Sequence, residues 1–125
     1  MLAGLGIDIL DVARLERELG REDRGFRDAV FSPREIEACG DGPGATRRYA
    51  ECFAAKEAFF KALGTGWTGG VGFREVEALR DTAGRPSLVL SGRTQQEAER
   101  RGLRRTHLAF SHAPRYAMAT VLLDS

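Results

Sequence analysis

The segment from about Thr46 to Leu63 constrains the fold most. Tyr49, Cys52, Phe53, Lys56, Phe60 and Leu63 recur at helical spacing, and all but Lys56 are apolar or aromatic. Such a stripe belongs on an amphipathic helix whose apolar side is covered by the rest of the chain. Glu57 and Lys61 stand one turn apart on the same helix. Gly64 is a natural stop, and Thr65 and Gly66 continue the turn.

The first half around this helix reads as follows. Leu2 to Ile9 is short and apolar, which predicts a buried strand. Asp11 can cap a helix from Val12 to about Leu19. On that helix Val12, Leu15 and Leu19 fall on a core face, and Arg14, Arg17 and Arg21 on the opposite, basic face. Phe26 to Phe31 is read as a short helical turn. Ser32-Pro33-Arg34-Glu35 is a helix start, with Ser as cap, Pro at the first position and Glu at the third. Gly40 to Gly44 ends that helix in a loop.

The second half is strand-like. Phe73 to Leu79 and Ser87 to Ser91 read as strands joined by the turn Asp81–Pro86. Arg93 to Arg101 is a polar helix ending at Gly102. Thr106–Ser111 and Tyr116–Leu123 read as a closing hairpin around His112-Ala113-Pro114-Arg115. The fold class expected is α+β, one long helix packed on an antiparallel sheet.

Length and charge narrow the function. The chain has 125 residues, which fits a single domain over 1–125 able to bury ~65–70% of its unfolded surface. The formal net charge of +1 argues against a general nucleic-acid binder, which carries a strong basic excess. Cys39 and Cys52 make neither a disulfide framework nor a zinc signature. A reduced, cytoplasmic setting is the default expectation. The start MLAGLGIDIL lacks a charged leader, and no stretch approaches the roughly 18 apolar residues of a membrane helix.

Three residues stand out chemically. Asp8 ends an otherwise apolar strand, where a carboxylate needs hydrogen bonds or a cation; it either caps the next turn or serves a site. Glu57 with Lys61 is either a surface ion pair or, among Phe53, Phe59 and Phe60, part of a drier site. If Asp8 and Glu57 meet, a cation between them relieves their repulsion. Two protein oxygens leave several positions of an octahedral Mg2+ for water and phosphate oxygens. Lys61 then neutralises a further phosphate oxygen.

These residues fall in motifs that resemble the holo-acyl-carrier-protein synthases, the small trimeric type of 4'-phosphopantetheinyl transferase. Gly6-Ile7-Asp8-Ile9 followed by Arg14 resembles the first signature. Phe53-Ala54-Ala55-Lys56-Glu57-Ala58 with Lys61-Ala62 and Gly64-Thr65-Gly66 resembles the second. Gly84-Arg85-Pro86 resembles the Gly-basic-Pro turn, and Ser111-His112 with Tyr116-Ala117-Met118-Ala119 the last motif. The matches run in family order over nearly the whole chain.

The resemblance implies transfer of 4'-phosphopantetheine from coenzyme A to a serine of apo acyl carrier protein, releasing adenosine 3',5'-bisphosphate. It implies Asp8 and Glu57 as Mg2+ ligands and Lys61 as the phosphate-stabilising cation. The serine proton would pass to Glu57 or to a metal-bound water. Lys61, Gly64, Arg48, Arg85, Pro86, Ser111 and His112 are the implied coenzyme A contacts. Arg14, Arg17 and Arg21 are the implied docking face for an acidic carrier protein. The family is typically a homotrimer with active sites between subunits, without nucleic-acid or membrane partners. One departure is Cys52, where the motif usually has Arg; Arg47 and Arg48, about one turn earlier, are the candidates to compensate. Cys52 is also the one feature favouring the alternative of a non-catalytic or weakly active coenzyme A-binding homologue.

Overall fold

The computed structural model describes residues 1–21, 23–64 and 72–125. Thr65 and Gly66 of the second motif therefore lie outside the described residues. The organising element is helix α4, Ala45–Leu63. Six alanines leave it slim enough for close packing, and it stops at Gly64 with φ 81°, a left-handed conformation that glycine adopts at little cost.

Strand β1, Leu2–Asp11, lies against α4 and leads directly into helix α1, Val12–Leu19. Asp11 caps α1 by accepting from the Ala13 N–H at 2.9 Å. Two short helices follow, α2 (Gly25–Val30) and α3 (Pro33–Cys39). The capping box of α3 is complete: Ser32 and Glu35 each take the other's backbone N–H. Beyond α4 come β2 (Val76–Arg80), β3 (Pro86–Leu90), α5 (Gly92–Arg100), β4 (Arg105–His112) and β5 (Tyr116–Asp124). Among the described residues the strands form two antiparallel sheets, ordered β1-β5-β4 and β2-β3. The α+β expectation holds, with a second small sheet added.

Two expectations are corrected. Phe73–Glu75 is a 3-10 turn rather than the start of a strand. Its cause is the buried Lys56, whose Nζ collects the carbonyls of Phe73 and Val76 at 2.8 and 2.7 Å and so curls the chain. The second correction concerns β1, which is buried on one face only. Gly6, Asp8 and Leu10 face α4, while Leu5, Ile7 and Ile9 are 54%, 50% and 58% exposed. The sheet has α4 on one side, and among the described residues nothing covers Leu5, Ile7 and Ile9 on the other, so a continuous apolar run serves two surfaces.

Candidate active site

Close approach of β1 to α4 creates the site. A Cβ on Gly6 would overlap the Ala58 carbonyl oxygen and stand 2.8 Å from the Ala62 N. Glycine therefore lets the strand backbone rest on the helix backbone, and the next inward residue, Asp8, comes down beside the last turns of α4. Lys61 Nζ donates to Asp8 Oδ1 at 2.8 Å and to the Ile7 carbonyl at 3.1 Å. The lysine thus ties helix to strand. Glu57, half-buried, is held above the usual carboxylate range, first by burial and second by the Asp8 charge; Lys61 and then Arg14 oppose the shift. That pattern marks two carboxylates facing a common space with cations at its edge. The three residues singled out in the sequence are brought together.

Lys56, the neighbour of Glu57, has a different role. Its side chain and that of Glu35 are both 0% exposed and meet at 2.7 Å. Glu35 also accepts from the Ser32 and Ala78 N–H groups at 3.0 and 2.9 Å. Every charge in this knot is matched, as a buried pair requires. It fixes α3 and β2 to α4 and so fixes the rotation of α4 that presents Glu57. Its signal in the sequence was a lysine on an otherwise apolar stripe.

A second cluster lies elsewhere on the chain. Arg34, Arg47, Arg48, Arg80, Cys52 and Phe110 line a cavity of about 400 Å3 bounded by α3, α4, β2 and β4. Arg34 is anchored by Glu77 at 2.7 Å. Arg48 Nε donates to the Cys39 carbonyl at 2.8 Å. Arg80 lies over the Phe110 ring at 5.6 Å and pairs in register with Pro86. Arg85 is exposed beside that pair, with Asp81 at 3.3 Å. Sequence reading found Arg47, Arg48, Arg85 and Pro86 but missed Arg34, Arg80 and Phe110, which come together only through the tertiary fold.

Ser111 and His112 end β4. They are separated from β1 by β5, so they stand roughly 10 Å from the strand carrying Asp8. Alternation divides them further: His112 shares the inner face with Phe110, and Ser111 shares the outer face with Met118 and Ile9. Among the described residues, one chain therefore holds two half-clusters at opposite edges of its main sheet, with β5 between them. Arg14 and Arg17 are exposed on α1, while Arg21, expected on the same helix face, lies just beyond the Gly20 cap where the helix has already ended, and is exposed too. Beside them, Leu10, Leu15, Phe26 and Phe53 line a hollow of about 180 Å3.

Known proteins share this fold and much of this sequence. The model of the 4'-phosphopantetheinyl transferase superfamily matches residues 4–121. A holo-acyl-carrier-protein synthase of Koribacter versatilis is 42% identical over 124 residues, 99% of each chain. The crystal structure of that synthase from Neisseria meningitidis superposes with a TM-score of 0.91 at 30% identity, covering 100% of both chains. A Bacillus anthracis synthase in complex with CoA (3',5'-ADP) gives 0.81 at 33% identity, covering 100% of this chain and 98% of its own. The chain belongs to the 4'-phosphopantetheinyl transferase superfamily. Within it, the relatives matched end to end are holo-acyl-carrier-protein synthases.

Proposed function

We propose that the chain transfers 4'-phosphopantetheine from coenzyme A to a serine of apo acyl carrier protein, releasing adenosine 3',5'-bisphosphate. The observation that carries this is the meeting of Asp8, Glu57 and Lys61 where β1 rests on α4. Two hard oxygen donors, with Glu57 disfavoured as an anion by burial and by Asp8, fit Mg2+, which leaves most of its positions to water and phosphate. When bound, Mg2+ supplies Lewis-acid stabilisation and a template for the pyrophosphate. Asp8 and Glu57 hold it, and Lys61 neutralises a phosphate oxygen as the phosphoryl group moves. Glu57 is the carboxylate this chain offers to the serine proton. The rest of the catalysis is positioning and fixed charge. Arg14, Arg17 and Arg21 dock an acidic carrier protein. Arg14 stands on α1, which follows directly from the strand that carries Asp8, so docking there brings the serine toward the carboxylates.

The basic cavity lined by Arg48 takes the nucleotide end of coenzyme A, and Arg85, Pro86 and His112, close in chain or register to its Arg80 and Phe110, complete that contact. Arg34, Arg48 and Arg80 supply the positive charge that Cys52 does not. Half-clusters on opposite edges of one sheet are joined when copies pack head to tail, and a threefold rotation between copies closes such an interface into a ring. The exposed Leu5, Ile7 and Ile9 face supplies the contact for a homotrimer, with Ser111 in the interface and Gly64 near Lys61. Among the described residues no helix is long and apolar enough to cross a membrane, and a cytoplasmic enzyme is the proposal. Intact-mass analysis of a panel of apo carrier proteins, incubated with the chain, coenzyme A and Mg2+, tests the activity. The expected result is a phosphopantetheine adduct on at least one; no adduct on any would remove the transferase reading.

A further inference from the structure

Cys39 closes α3 and Cys52 lies in the middle of α4. Both are free thiols, and their Sγ atoms are 3.9 Å apart. Both are buried in the protein yet line the basic cavity, which is roomy enough to admit a small oxidant. An S–S bond is about 2.05 Å long, so closing it asks for roughly 2 Å of sulfur movement, shared between two side chains. The seven-residue α3 ends at Gly40, with φ 68°, and this end of a short helix yields more readily than the 19-residue α4.

We infer that Cys39 and Cys52 form a reversible disulfide when the protein meets hydrogen peroxide, and that this bond weakens coenzyme A binding in the adjoining cavity. The second half rests on the assignment of that cavity to the nucleotide. In the first step the sulfur of one cysteine attacks the peroxide O–O bond. One oxygen stays as sulfenic acid, and the other leaves as hydroxide, which takes the thiol proton to become water. In the second step the sulfur of the other cysteine displaces the sulfenic hydroxyl, which leaves with that cysteine's proton as a second water. Two thiols lose two electrons and two protons, and one hydrogen peroxide becomes two waters. The interaction with Cys39, then burial, pushes the Cys52 thiol well above its usual range. A buried thiol so shifted carries little thiolate and reacts slowly. Formation is slow and answers sustained exposure.

The consequence follows from what each cysteine holds. The Cys39 carbonyl accepts from Arg48 at 2.8 Å, and the Cys52 thiol donates to the Ala78 carbonyl at 3.5 Å. Drawing the end of α3 toward α4 displaces the Arg48 anchor and releases the contact with β2, so three walls of the cavity shift together. The expected effect is a rise of about three- to tenfold in KM for coenzyme A with little change in kcat, the pattern of lost uniform binding.

The test uses the intact protein treated with hydrogen peroxide, then denatured and capped with iodoacetamide. Mass analysis is expected to find no capped cysteine in the oxidised wild type, two after reduction, and an intrachain Cys39–Cys52 peptide pair on digestion. KM for coenzyme A is measured in the oxidised and re-reduced protein and in Cys39→Ser and Cys52→Ser, each with and without peroxide. The expected result is a reversible KM rise in wild type and no Cys39–Cys52 bond or accompanying rise in either variant. Two cappable thiols after oxidation, or a bond only between chains, overturns the proposal. A disulfide that forms without moving KM overturns its regulatory half. Turnover in the reduced arm is read separately, so an inactive enzyme there condemns the transferase reading and not the thiol pair.

Discussion

Gly6→Ala is the smallest change that asks whether the strand–helix contact builds the site. The added Cβ would stand 2.8 Å from the Ala62 N and closer still to the Ala58 carbonyl oxygen. Non-bonded heavy atoms prefer about 3.5–4.0 Å, so β1 must retreat by roughly 1 Å. Both obstacles are helix backbone, and no side-chain rotation relieves them. Overpacking of this kind costs about 1–3 kcal/mol, and a backbone clash belongs at the upper end. Asp8, two residues on, is carried away from Glu57 and Lys61; a misplacement of about 1 Å is expected to lower turnover about 100-fold. Urea unfolding gives the stability, and intact-mass kinetics on apo carrier protein gives the turnover. Wild-type kcat with an unchanged urea midpoint would refute the claim that this contact positions the site.

Two further substitutions probe the charges. Lys56→Met leaves Glu35 buried without its cation and strips the Phe73 and Val76 carbonyls of a donor, so a loss of about 3–5 kcal/mol is expected in urea unfolding; a loss below about 1 kcal/mol would show that the knot does not hold α3 and β2 to α4. Glu57→Gln acts oppositely on stability and activity. In metal-free protein the folded chain binds a proton at Glu57 more tightly than the unfolded chain does, so the group is destabilising above its folded-state range. That penalty fades as pH falls through the raised folded-state range and is gone below the ordinary value of about 4.3. With EDTA present, Glu57→Gln is expected to melt higher than wild type near neutral pH, by no more than about 1 kcal/mol after solvent screening. The two should converge in acid, while phosphopantetheine transfer by the variant is largely lost. Equal melting at neutral pH, or near wild-type turnover, would remove Glu57 from the site.

The sequence disclosed local structure well. The α3 start was legible because Ser32, Pro33 and Glu35 act within one turn, and the end of α4 because Gly64 marks it. The meeting of Asp8 with Glu57 was legible only as a condition. It depends on glycine in a strand crossing alanine in a helix, and neither periodicity nor propensity encodes that crossing. Phe73 was misread because its backbone obeys a distant ammonium, Lys56, rather than its own strand propensity. Arg34 and Arg80 were missed for a related reason: their shared cavity joins α3 to β2 across forty-odd residues of chain. The exposure of Ile7 and Ile9 was hidden because an apolar run does not say whether a helix of its own chain or a neighbouring copy covers each face.

Subunit mixing tests the composite site most directly. Asp8→Asn removes one half-cluster and His112→Ala impairs the other, so each homo-oligomer should transfer poorly. After unfolding and refolding together in equal amounts, a head-to-tail ring places an intact Asp8 half against an intact His112 half at about a quarter of its interfaces. Recovery to about a quarter of wild-type turnover is expected from two poorly active parents. Mixed oligomers, verified by mass, that stay as inactive as their parents would contradict it, because each site would then draw both halves from one chain.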